Sequence, residues 1–331
     1  MKNRLISVFH TAICAAGTTN SIYRRAKSDI WLAIPPALCA CGMEIIMPST
    51  YAHYRMGKEL IKALPESRQT IIRNNMELYL IGLHGPDILF YYKPLKRNHV
   101  NSVGYGMHER SGREFFENAA KVIKAHHGES AYKAYVYGVI CHFSLDVMCH
   151  GYIDEKIQAS GVSHAEIEVE FDRMLMLLDH LDPVRHVLTG HIVPSDYNSS
   201  VIHCFYNGIE RREVKKALGG MIYNNSLLLA PSRIKRALID LLLLVSGNYK
   251  EMHGLIVNYR KNPKCEDSNR QLMQLYKKAG KKAVMLIEEY DGYLDGTHPL
   301  NPIYNYTFGS KPGEACTDAP AGKKEGYKDA V

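Results

Sequence analysis

In the segment CHFSLDVMCH, His142, Asp146 and His150 recur at every fourth position. Within a helix each step of four advances about 400°, so the three side chains form one slanted row with about 6 Å between neighbours along the axis. Imidazole nitrogen and carboxylate oxygen are zinc ligands, so such a row can serve one or two ions; the plainer alternative is a polar row packed on neighbouring helices. A second pair follows in SHAEIE. Ser163 reads as a helix cap whose capping box is closed by Glu166, which leaves Glu168 four residues after His164 on the same face and free to take a metal. Upstream, TYAHYRMGKEL carries His53 and GLHGPDILFYY carries Asp87, with His84, His99 and His108 nearby. Spacing alone does not choose among these histidines.

The elements that must position these residues are helices. From residue 50 onward apolar residues repeat at three and four positions, broken by Gly, Pro and Asn, and no strand alternation is evident. The pattern predicts helices over 50–64, 67–82, 111–127, 129–152, 163–181, 199–219, 230–248 and 267–290. Residues 83–110, with Gly85, Pro86, Pro94, Gly104 and Gly106, read as a long irregular loop holding several candidate ligands. The short connection between 129–152 and 163–181 implies antiparallel packing, which brings His150 to the His164/Glu168 pair. The expected fold is all-α.

A hydrophobic fraction of 46% and a charged fraction of 23% exclude disordered and collagenous classes. The net charge of +7 favours anionic partners without choosing among phosphate esters, anionic lipid and nucleic acid. The 8 cysteines contain no CxxC pair and read as reduced thiols. Residues 1–46 read as an N-terminal extension, with Met47 a candidate start; 47–308 form the helical domain and 309–331 a disordered tail. The N-terminal apolar stretch is interrupted by His10 and lacks a clear cleavage site, which favours a cytoplasmic protein over a secreted one. The run from Ile30 to Met43 holds Pro35 and Pro36 and is too short for a transmembrane segment.

The order of candidate ligands resembles the bacterial zinc-dependent phospholipase C family, related to the fungal single-strand zinc nucleases. The resemblance lies in HFSLD, the following His150, the pair His164-x-x-x-Glu168, the preceding Gly-x-x-Gly-Pro-Asp at 82–87 and the early His53, over roughly residues 47–180. It implies one zinc held by Asp87, His108, His142 and Asp146, a second by His150, His164 and Glu168, and a third shared by His53 and Asp146. His108 is preferred to His99 because it immediately precedes the helix beginning near 111, as in the family. The chain departs from secreted members in two respects. Its only tryptophan, Trp31, lies well before His53 rather than at a processed N-terminus, and the interval from Asp146 to His150 is short. Two or three zinc ions are therefore expected, and the fold that the resemblance implies is a compact multi-helix bundle with the metal cluster in a cleft between helices.

What the resemblance implies is phosphodiester hydrolysis by metal-activated water, with Asp87 orienting or deprotonating that water. The leading expectation is cleavage of a phospholipid, at a membrane surface, to diacylglycerol and a phosphorylated head group, with no nucleic acid partner. A nuclease on the same metal core is the second reading, and Tyr91, Tyr92 and Tyr105 in the 83–110 segment would then be candidates to stack bases. A zinc-stabilised helical protein without turnover is the third.

Overall fold

The segment Ser130–Ser160 is apolar on every side over most of its length, and a helix of that kind belongs at the centre of a bundle. A computed structural model describes residues 49–310, apart from 95, 247, 248 and 250–252. Residues 1–48 and 311–331, and with them the expected extension and nearly all of the expected tail, lie outside the described residues.

In chain order the helices are α1 (Tyr51–Leu60), α2 (Glu66–Asn74), α3 (Met76–Gly82), α4 (His99–Glu109), α5 (Gly112–Ala125), α6 (Ser130–Ser160), α7 (His164–Leu178), α8 (Asp196–Ile202), α9 (Arg211–Leu228), α10 (Arg233–Ser246) and α11 (Glu266–Leu294). Among the described residues there is no β-strand element, and the all-α reading stands. The central α6 packs most extensively on α11 and α3, with α1, α2 and α7 also against it. One large core includes Tyr79, Tyr135, Tyr137, Phe143, Tyr290 and Phe308, all 0–1% exposed. A small second core joins Ala230, Ile239, Leu243 and Ile256.

The segment 83–110 is not the irregular loop that its glycines and prolines suggest. It holds a buried 3-10 turn, Gly85–Tyr91, and then α4. Asn98 starts α4 with a reciprocal capping box, accepting from the backbone of Val100 and Asn101 while the Asn101 side chain accepts from the Asn98 N–H. Gly104 is a packing contact rather than a breaker. A Cβ there would lie 3.0 Å from the Phe90 ring and 3.2 Å from the Pro86 carbonyl oxygen, so its absence lets α4 close over the turn that carries Asp87.

Gly85 has two constraints at once. Its φ is +48°, in the left-handed region, and a Cβ would lie 2.3 Å from the His142 ring. Gly85→Ala is therefore expected to cost about 3 kcal/mol, from the disfavoured backbone plus overpacking. It should also displace His142 and lower zinc content. Denaturant unfolding and elemental analysis of the variant check this, and a loss below about 1 kcal/mol with full zinc would contradict it.

Candidate metal centre

His53 reaches the site because the first half of α1 is clamped onto α7 at two points. At the start of α1, where no side chain of the helix itself caps the free N–H groups, Asp172 of α7 accepts from the Tyr51 N–H (2.9 Å), the Ala52 N–H (2.8 Å) and the Ser49 hydroxyl. Burial pushes the Asp172 carboxyl up to about 6, although these three donors oppose the rise. One turn further along, Arg55 donates to both oxygens of Asp179 at 2.7 and 3.0 Å, and the Tyr51 hydroxyl donates to the same carboxylate at 2.6 Å. The helices α6 and α7 are joined through residues 161–163 and pack on each other, and His150 meets Glu168 as the short connection suggests.

These elements bring all eight sequence-derived residues together. Three groups form: His53, His142 and Asp146; Asp87, His108 and His142; and His150, His164 and Glu168. Within each, one ligand atom per residue lies within 4.8 Å of the others. His142 Nε2 is 3.0 Å from Asp146 Oδ2 and 3.5 Å from Asp87 Oδ2. His108 Nε2 is 3.1 Å from Asp87 Oδ1, and His53 Nε2 is 3.3 Å from Asp146 Oδ1. His150 Nε2 stands between Asp146 Oδ1 at 3.7 Å and Glu168 Oε1 at 3.5 Å, and His164 Nε2 is 3.2 Å from the same Glu168 oxygen. His108 Nδ1 donates to the Gly104 carbonyl oxygen at 2.9 Å, which fixes the tautomer with a lone pair on Nε2, toward Asp87.

The charge balance of this cluster calls for cations. Asp87, Asp146 and Glu168 are buried, and every ion-pair partner found for them among the described residues is a histidine. Burying a carboxylate is costly unless it is paired or coordinates a metal. Burial opposes ionisation of Asp146, but the imidazoles of His142, His150 and His53 outweigh it and hold the carboxyl well below the usual range. Glu168 is held down in the same way by His164 and His150. Burial lowers His53 and His108, yet their carboxylate partners Asp146 and Asp87 win, and both imidazoles are raised.

Zinc fits this donor set. Several close nitrogen–oxygen approaches lack hydrogen-bond alignment: both ring nitrogens of His142, Asp146 Oδ2 and Asp87 Oδ1 are buried with no hydrogen-bond partner among the described residues. Atoms that converge at 3.0–3.5 Å without donor-to-acceptor alignment have their lone pairs directed at shared space, as metal ligands do.

Other residues depart from what their spacing suggests. His99 lies outside the cluster, 61% exposed and 3.0 Å from Glu213. His84 is buried, its Nε2 2.7 Å from His191 Nε2, and burial plus the neighbouring imidazoles hold it well below the usual histidine range. Tyr91 and Tyr92 are buried and Tyr105 stacks on Phe90 with ring centroids 4.5 Å apart, so these three rings pack the fold. Ser163 caps α7 through the Glu166 N–H, but the Glu166 carboxylate accepts from Asn262 at 2.7 Å instead of closing a capping box. Asp172 and Ser49 carry no local sequence signal; their role depends on a contact between segments far apart in the chain.

Glu170 is the clearest surprise. Its helical angle turns it away from the metal cluster, which suggests tolerance to alanine, but it is fully buried and accepts from Asn258 Nδ2 at 3.1 Å and the Asn262 N–H at 3.0 Å. Glu170→Ala should cost about 2–3 kcal/mol by stranding those donors and should leave zinc bound. Thermal unfolding with elemental analysis tests both halves, and a stability equal to that of the parent would refute the first.

Neither the curated proteins nor the solved structures gave a match. Residues 52–216 match the family model described as zinc dependent phospholipase C. That span contains all eight clustered residues from His53 to Glu168, and over it the chain belongs to the zinc-dependent phospholipase C family of hydrolases.

Proposed function

We propose that the protein cleaves a glycerophospholipid on the glycerol side of its phosphate, giving diacylglycerol and a phosphorylated head group. The observation that carries this reading is the convergence of three donor groups, with His142 common to two of them and Asp146 bridging to the third by lying next to His53, His142 and His150. We assign two zinc positions, one to Asp87, His108, His142 and Asp146 and one to His150, His164 and Glu168. A third would be held by His53 and Asp146. When bound, zinc makes water acidic near neutral pH and offsets charge on phosphate oxygens. Asp87 is the residue assigned to take the proton. Its Oδ1 is buried without an aligned donor, 3.1 Å from Nε2 of His108, whose ring is fixed by Gly104.

An apolar approach supports lipid over nucleic acid. A cleft is lined by Val169, Val187, Leu188, Leu228, Leu229 and Leu255, with Ser49, Thr50, Tyr91 and Asp172 also in its wall. The Ser49 N–H donates to Glu168 Oε2 at 3.2 Å, so the cleft wall at Ser49 abuts the metal cluster. The tyrosines that could have stacked bases are committed to packing. A cytoplasmic setting is part of the same proposal.

Elemental analysis of gently purified protein should find at least two zincs per chain. A parallel screen of phosphatidylcholine, phosphatidylethanolamine and phosphatidylglycerol against a single-stranded oligonucleotide should yield diacylglycerol and no nucleotides. Release of nucleotides without diacylglycerol would establish the nuclease reading instead, and zinc without turnover of either would leave a structural metal protein.

A further inference from the structure

The helix α10 is amphipathic in the wrong sense for a helix that ends at solvent. Ile239 and Leu243 face inward, to the small core with Ala230 and Ile256. The opposite side carries Ile234, Leu241, Leu244 and Val245, which are 75%, 49%, 59% and 80% exposed. At about 100° per residue, Ile234, Leu238, Leu241 and Val245 fall within a sector of about 60°, with Leu242 and Leu244 on its two sides. Scattered exposed apolar residues are ordinary, but a continuous stripe of this size marks an interaction surface.

The charges beside the stripe say what covers it. A groove along the flank of α10 is lined by Arg233, Arg236, Arg260 and Lys261, against only Glu166 and Asp240. Arg236 stacks over the Tyr259 ring at 4.4 Å, and Tyr259 is itself exposed at the groove. An apolar stripe bordered by cations and an amphipathic aromatic residue fits the head-group and acyl boundary of a bilayer containing anionic lipid. A second copy of the chain would present the same excess of cations to itself. With 14 residues α10 is too short to span a bilayer, and no helix among the described residues is long and apolar enough to do so, so it would lie in the plane of the surface.

The apolar cleft adjoins the inner face of α10. Leu228 and Leu229, which line that cleft, lead through Ala230 directly into α10, and Leu255 and Val257 of the cleft flank Ile256 of the small core. We propose that α10 is an interfacial docking helix that seats the protein on anionic lipid surfaces, beside the segment that lines the apolar cleft. This deepens the phospholipase reading and rests on it for the link to turnover, but the docking itself is independent of catalysis.

The test compares the full-length parent with Leu241→Asp/Val245→Asp, both exposed positions, and with Arg233→Glu/Arg260→Glu. Co-sedimentation with vesicles of phosphatidylcholine plus phosphatidylglycerol should show binding that weakens with salt and with omission of phosphatidylglycerol. The apolar pair should lose at least about tenfold in partitioning, and the cationic pair should lose the dependence on phosphatidylglycerol. Hydrolysis of vesicle lipid should fall in parallel, while hydrolysis of a monomeric short-chain phospholipid should be unchanged. A parent that does not bind vesicles, or an apolar-pair variant that binds as the parent does, overturns the proposal. So does a parent dimer that the apolar pair converts to monomer with vesicle binding intact. Vesicle binding as described with no hydrolysis of either substrate would leave docking standing and remove the catalytic reading; hydrolysis of the monomeric lipid without vesicle binding would do the reverse.

Discussion

His142→Ala should strip at least one zinc per chain and lower phospholipid turnover on the order of 10³-fold, about 4 kcal/mol of transition-state stabilisation. No other imidazole belongs to two of the three donor groups. It lies between Asp87 and Asp146, with its ring 4.4 Å from that of His53, and it is fully buried, so no solvent or neighbouring side chain can replace it. Asp146→Ala should be comparably damaging because His53, His142 and His150 all converge on that carboxylate. Glu168→Ala should be milder in metal content, losing the zinc assigned to His150, His164 and Glu168 while the other persists. His99→Ala, outside the cluster, serves as the control and should keep full metal and activity. Elemental analysis and a diacylglycerol assay on the four proteins decide the matter. Full zinc in both His142→Ala and Asp146→Ala would refute the arrangement.

Chelation should reverse the sign of the pH dependence of stability. In the stripped protein His53 and His108 have raised pKa values, so the stability they contribute is fully present below the unfolded value of 6.5 and is lost as pH rises through the raised folded values. Asp146 and Glu168 are depressed, so their contribution is present above the unfolded values of 3.8 and 4.5 and is lost as pH falls through the lower folded ones. The stripped protein should therefore be most stable between these ranges and should weaken from pH 6.5 upward, by up to about 1.4 kcal/mol per pH unit for each extra proton it holds. The zinc-loaded protein requires deprotonated imidazoles and should strengthen over the same interval. Unfolding midpoints measured with and without chelator from pH 6 to 8 should diverge, and parallel curves would show that the cluster does not hold metal.

The parts of the site that lie on single helices were legible in the sequence. His142, Asp146 and His150 share α6, and His164 and Glu168 share α7, so helical periodicity alone places each set on one face. His53, Asp87 and His108 come from three other segments, and only the order of ligands known from the family selected them over His84 and His99. Periodicity failed where a distant segment decides the environment. The angle of Glu170 says that it leaves the cluster but not that Asn258 and Asn262 wait on the other side. The same holds for Asp172, whose partners at the start of α1 are far from it in sequence, and for α4, whose two glycines resemble breakers although Phe90 and Pro86 pack against Gly104.

Distributing the donors over α1, the Gly85–Tyr91 turn, α4, α6 and α7 means that bound ions would act as cross-links. Each would tie together stretches of chain separated by one or more helices, and closing such long loops removes conformational freedom from the unfolded ensemble much as a disulfide does. Opening any one of these five elements would then require breaking coordination bonds at the others' expense. The first half of the molecule should open as a single unit, resisting proteases and exchanging its amide hydrogens slowly, whereas α10, which carries none of the donors and packs in the small second core, is free to open separately.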